Sequence, residues 1–216
     1  MMKSSVKKIG ALVAAAVMVC AIFVGCGSSK YDTSTPDGAL MTQLDALKTG
    51  DFSQLEGYSK EAIEETGFTE AQLKDLMTSL FGKSTYTAQN VETVSDTEAK
   101  VSVSGKAVDM SKFIPIVSTE FLAKATEFAT KNDTTNMTAE EAQKQVMALF
   151  IDAAKAKKSS IELKDVTVTV TMEKKDGKWD VSSDDDNMNS LTELLAGSTT
   201  EELVESMQGL FGGSFA

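Results

Sequence analysis

The 216-residue chain contains no histidine, and its basic residues are all lysine. Without imidazole, the usual general base near neutral pH is missing. Cysteine is nearly absent as well, with only Cys20 and Cys26, both inside or at the edge of an apolar N-terminal run. Everything beyond residue 26 therefore lacks a thiol nucleophile, a disulfide and a cysteine metal site, and must be stabilised by an ordinary core. Positive charge is also short, 21 lysines against 32 acids. An acidic chain does not suit the phosphate backbone, so nucleic acid is excluded as a partner. No Gly-x-Ser-x-Gly elbow occurs among the many serines.

What the sequence does have begins at its N-terminus. Lys3, Lys7 and Lys8 precede the apolar run Ile9–Gly25, and the polar Gly27-Ser28-Ser29-Lys30 follows Cys26. Charged, apolar and small-residue regions in that order are the layout of an export signal. An uncleaved membrane-spanning helix is the alternative, and the run is at the short edge of the roughly 20 residues this needs. Phe23-Val24-Gly25-Cys26 resembles the lipobox of bacterial lipoproteins, with Phe23 where leucine is usual. The resemblance implies a diacylglycerol on the Cys26 thiol and cleavage of the bond between Gly25 and Cys26. Cys20 follows the bulky Val19 and reads as part of the apolar run. Two acyl chains anchor stably where one holds only marginally. The expected organisation is a signal peptide over 1–25, a flexible tether over 26–36 and a single α+β domain over 37–216. The protein would sit on the extracytoplasmic face of the cell membrane. Removing residues 1–25 takes away three lysines and no acid, so the formal charge moves from −11 to −14.

Within the domain, Leu40, Met41, Leu44 and Leu47 mark one helix that opens at Pro36 and ends at Gly50. Thr69 and Gln72 form a capping box for a second, with a Phe68–Leu73 staple and a stripe of Leu76, Met77, Leu80 and Phe81. Strands are expected over 86–94 and 99–108, joined through Ser95–Glu98. Two helices come next. The first runs over 113–131, with Ile116, Val117, Phe121, Ala125 and Phe128 inward. The second is capped by Thr138 and Glu141 and turns Val146, Leu149, Phe150 and Ala153 inward. Lys155, Lys157 and Lys158 fall in its last turn, where cations meet the helix dipole.

Val166, Val168, Val170 and Met172 then alternate with threonines and Glu173 up to Asp176-Gly177, a two-residue hairpin turn. That turn sets Lys174 opposite Trp179 and Met172 opposite Val181. Ile161 and Leu163 have the opposite parity, which a bulge near Lys164-Asp165 would reconcile. Trp179 reads as core, with ligand stacking as the competing role. Asp184-Asp185-Asp186-Asn187 invites a calcium loop. Ser190 and Ala196 stand where its glycine and bidentate Glu belong, so a helix start is the simpler reading. No metal and no cofactor are expected. Leu203, Met207, Leu210 and Phe211 suggest a last helix in a C-terminal region, 198–216, that frays at its end.

Lys48-Thr49-Gly50-Asp51-Phe52, Val108-Asp109-Met110 and Asp176-Gly177-Lys178-Trp179, in this order of elements, resemble the cone-shaped α+β fold of nuclear transport factor 2 relatives. More narrowly, they resemble lipoproteins of Gram-positive bacteria that use such a fold and have no assigned activity. The resemblance implies an antiparallel curved sheet built from two hairpins against helices, with residues 113–158 as a helical insertion. It carries no catalytic residue onto this chain. The expected role is a non-catalytic module anchored through diacylglycerol on Cys26, binding a protein or a small apolar ligand. A carboxylate-dependent hydrolase is the alternative.

Overall fold

The computed structural model describes residues 30–51, 69–132 and 137–211. In chain order the elements are α1 (Pro36–Thr49), α2 (Glu70–Phe81), β1 (Thr85–Ser95), β2 (Glu98–Val108), α3 (Met110–Lys131) and α4 (Ala139–Ala156). A 3-10 turn (Lys158–Ser160), β3 (Leu163–Lys175), β4 (Lys178–Val181), α5 (Asp185–Ala196) and α6 (Thr200–Phe211) complete them. The fold is α+β, with an open four-stranded antiparallel sheet in the order β1-β2-β3-β4.

Strand alternation divides the sheet into two faces. Val101, Val103 and Ala107 of β2 and Val166, Val168, Val170 and Met172 of β3 are buried, and α1, α2 and α5 pack on the sheet. Lys100, Lys106, Thr167 and Thr169 face water on the other side. One dry and one wet face is the usual state of such a sheet. β2 and β3 pair without interruption from Glu98 opposite Glu173 to Val108 opposite Leu163. The bulge expected near Lys164-Asp165 therefore does not form. Leu163 simply turns to the wet face, and Ile161 is buried before the strand begins, beside the 3-10 turn. Two register shifts lie instead in β1, between Ala88 and Asn90 and between Thr93 and Ser95. The β1–β2 connection is also tighter than expected, since Ser95 and Glu98 pair and only Asp96-Thr97 turn.

At the β3–β4 turn, Asp176 has φ 53° and Gly177 has φ 81°. Two consecutive positive φ angles match the right-handed twist of the strands. Lys175 faces Lys178, Lys174 faces Trp179 and Met172 faces Val181. Trp179 is 8% exposed and belongs to the core.

The helix ends follow local chemistry. The Thr35 side chain caps α1, and Gly50 ends it at φ 63°. Thr69 and Gln72 close a reciprocal box on α2, while Phe68 of the expected staple lies outside the described residues. Thr138 and Glu141 do the same for α4. α3 starts three residues before the expected Phe113, because the Asp109 carboxylate accepts the Lys112 N–H. Its buried residues are Met110, Phe113, Ile114 and Val117. Ile116, Phe121, Ala125 and Phe128, expected inward, are only half-buried. α3 carries Pro115 inside it, which cannot donate to the Ser111 carbonyl one turn back. The Ser206 hydroxyl of α6 shares its proton between that carbonyl, at 3.2 Å, and the Glu202 carbonyl, at 2.8 Å.

In α4 the buried residues are Met147, Ile151, Ala153 and Ala154. Val146, Leu149 and Phe150, expected inward, are half-buried. The helix packs on α2 as well as α3, so its apolar face turns toward the groove between them. Lys155 pairs with Asp75 of α2, and Lys157 with Glu120 of α3 at 3.0 Å, fixing the same orientation.

Burial of Trp179 beside Val181 and Met172 predicts that Trp179→Ala costs about 3–5 kcal/mol. Urea unfolding should show a lower midpoint with a nearly unchanged slope. An unchanged midpoint would mean that the ring is not packed.

Candidate functional site

Gly25 and Cys26, the cleavage and lipidation residues read from the sequence, lie outside the described residues. So do the expected signal peptide, 1–25, and residues 26–29 of the expected tether. Among the described residues no helix is long and apolar enough to cross a membrane.

A cluster of polar side chains forms where β4 stops. β4 is four residues long and covers only the C-terminal end of β3. Beyond Val181, the Ser182 N–H still reaches the Thr171 carbonyl at 2.9 Å. The buried side chain of Asn187, in the first turn of α5, then takes the place of a strand. Its Oδ1 accepts the Thr171 N–H at 2.6 Å, and its Nδ2 donates to the carbonyls of Thr171 at 3.0 Å and Ser182 at 2.7 Å. Asp184 orients this turn by accepting the Asn187 N–H at 2.9 Å. On the same edge the Ser182 hydroxyl donates to Glu173 at 2.6 Å, and Lys175 pairs with Glu173 at 3.0 Å. Gln43 of α1 donates to Asp180 of β4 at 3.1 Å.

A serine hydroxyl on a carboxylate has the outline of a nucleophile and its base. The electrostatics run the other way. Donation from Ser182, then from Lys175, holds the Glu173 carboxyl below the usual carboxylate range. A carboxylate held low is a poor base and a poor acid. The Asn187 N–H likewise holds Asp184 low. At the start of α3, burial pushes the Asp109 carboxyl up, but donation from Ser111 and Lys112 together outweighs it and the net shift is downward. Lys112 also bridges to Glu162 at 2.8 Å. These clusters do mechanical work: a helix cap, a strand substitute and a link between α1 and β4.

Asp184-Asp185-Asp186-Asn187 is thus a helix start, with Asp184 as the cap. Among the described residues no group of three acidic, His or Cys side chains is placed to hold a metal ion. Trp179 lies in the core with the Lys174 ammonium 5.5 Å from its ring centroid. The bridging role of Asn187 was not anticipated. The sequence signal was an Asn three residues after a capping Asp, where a caps-and-turns reading stops at the backbone.

A family described as "Domain of unknown function (DUF5105)" matches residues 33–196. Among solved structures, the "putative lipoprotein (ycdA) from Bacillus subtilis subsp. subtilis str. 168" is similar at 22% identity and a TM-score of 0.45. The similarity covers 74% of this chain and 55% of that one, so the chain spans about half the length of that solved protein. No curated protein matches.

Asn187→Ala should orphan the Thr171 N–H and the Ser182 carbonyl, while the Thr171 carbonyl keeps the Ser182 N–H, and cost about 3 kcal/mol, at 1–3 kcal/mol per buried group left unpaired. Chemical denaturation checks the loss, and a change below about 1 kcal/mol would mean that water replaces the amide. The carboxyl of Asp184 is lower in the fold than in the unfolded chain. Its stabilisation is therefore present above about pH 4 and lost as pH falls through the folded value. The stability difference between the wild type and Asp184→Asn should shrink over that acid range, and a difference constant from pH 7 to pH 2 would overturn this assignment.

Proposed function

The chain belongs to the family of this domain of unknown function, and from that footing we propose that it is a lipid-anchored, extracytoplasmic binding or interaction module without catalytic activity. The anchor half of the reading rests on Val24-Gly25-Cys26 at the end of a single apolar run behind three lysines. The non-catalytic half rests on one observation: Asp109, Glu173 and Asp184 are held low by donors that cap helices or seal a strand edge. Acid–base hydrolysis by two carboxylates needs one of them raised instead. The chain has no histidine, and no thiol beyond Cys26, to supply a neutral-pH base. The cone-shaped arrangement of nuclear transport factor 2 relatives is part of this proposal, supported by a four-stranded antiparallel sheet with one buried face. A protein or a small apolar ligand is the proposed partner. The strong negative charge disfavours nucleic acid.

The test uses the full chain purified from membranes in detergent. The mature protein should begin at Cys26 with acyl mass on its first residue, and Cys26→Ser should accumulate as precursor. The wild type should show no turnover against glycan, ester, peptide and phosphate substrates. Turnover abolished by one Asp or Glu substitution, with melting unchanged, would instead establish the carboxylate hydrolase. An intact Met1 in wild-type membranes would establish the uncleaved anchor.

A further inference from the structure

The segment between the anchor and the domain is shorter than the distance from Cys26 to the first helix. Residues 31–35 are folded onto the domain. Tyr31 packs against the core. The Asp32 carbonyl accepts the Thr35 N–H at 3.2 Å and the Thr35 hydroxyl at 2.9 Å, and the Asp32 carboxylate takes the Ser34 N–H and hydroxyl at 3.0 and 2.6 Å. The turn so formed lies directly on α1 at Gly38. A Cβ on Gly38 would stand 1.9 Å from the Asp32 carbonyl oxygen and 2.9 Å from the Thr35 hydroxyl. Glycine is a poor residue for a helix interior. Here it is the side chain whose absence lets the turn seat.

We propose that this Asp32–Gly38 clasp sets the distance between the domain and the membrane, holding the surface around Lys30 against the phospholipid headgroups. The inference rests on the lipidation of Cys26 proposed above. With the clasp closed, four Cα steps separate Cys26 from Lys30, a reach of about 14 Å at full extension. With it open, six more steps to Pro36 add about 20 Å. The closed leash is comparable to a headgroup layer, so the domain is apposed to the bilayer and a partner must be reached at the membrane surface. Lys30 is exposed at the exit point with its ammonium 4.8 Å from the Tyr31 ring centroid, a cation and an amphipathic ring of the kind found at membrane interfaces.

The test is energy transfer to a headgroup-labelled lipid. The full-length acylated protein is reconstituted in vesicles of phosphatidylcholine and phosphatidylglycerol. No thiol follows Cys26, so a single cysteine can be labelled at Lys48→Cys or Thr130→Cys. Lys48 lies one helical turn from Asp45, whose charge acts on Lys30, and Thr130 is at the far end of α3. Transfer should be higher from position 48 than from position 130. At position 48 it should fall severalfold on Gly38→Ala with melting preserved. It should fall similarly when ten Gly/Ser residues are inserted after Gly27, which lengthens the leash with the clasp intact. Equal transfer from both positions, or no change with the inserted spacer, would overturn apposition. A drop with the spacer but none with folded Gly38→Ala would overturn the clasp. The mass of the N-terminal peptide, read on the same sample, separates these results from a failure of lipidation, which would overturn both readings.

Discussion

The structure hangs on a side chain that imitates a strand. β3 is thirteen residues long and β4 only four, so a buried edge would be left with open peptide groups. Asn187 carries an amide that accepts and donates as a peptide does, and it closes the edge at Thr171 and Ser182. Because that amide sits in the first turn of α5, closing the edge also seats the helix. Leu191, Leu194 and Leu195 are then buried against the sheet. On the opposite side of β4, Gln43 ties α1 to Asp180. Two helices and the end of the sheet thus meet at one polar junction.

The parts of this arrangement that were plain in the sequence are those set by local chemistry. The Val/Thr alternation of β3, the Asp176-Gly177 turn and the Thr69 and Thr138 boxes each need only a few neighbouring residues, and each is where those residues put it. What was not legible depends on partners distant in the chain. The inward face of α4 is set by α2 and α3 together, so periodicity alone found Ala153 but chose Val146 and Phe150 where the neighbouring Met147 and Ile151 are buried. The start of α3 is held across the chain, because the Asp109 N–H donates to the Glu162 carbonyl at 2.9 Å and Lys112 pairs with Glu162 at 2.8 Å, just before β3. The docking of Tyr31 to Thr35 depends on a glycine that a helical pattern counts only as a weakness. The proposed cleavage and lipidation residues, Gly25 and Cys26, are read from local order alone: lysines, an apolar run, a small residue and a cysteine.

The acidic character and the scarcity of bases take on a physical sense in this fold. Carboxylates that cap helices and meet lysines are employed in their charged form, so they contribute to stability at neutral pH and not to proton transfer. Surface pairs such as Lys106–Asp165 contribute little in water. The remaining acids give the chain a net negative field, which disfavours self-association.

Pro115 has a consequence for how the molecule is made. The Ser111 carbonyl it leaves without an intrahelical donor is met by Ser206, 95 residues further along the chain and past Ala196, where the family match ends. Synthesis is vectorial, so α3 emerges before the α6 hydroxyl that meets this carbonyl in the fold. The middle of this domain is completed by its last segment. That couples the two ends of chain elongation and makes a truncated product recognisably unfinished at its centre.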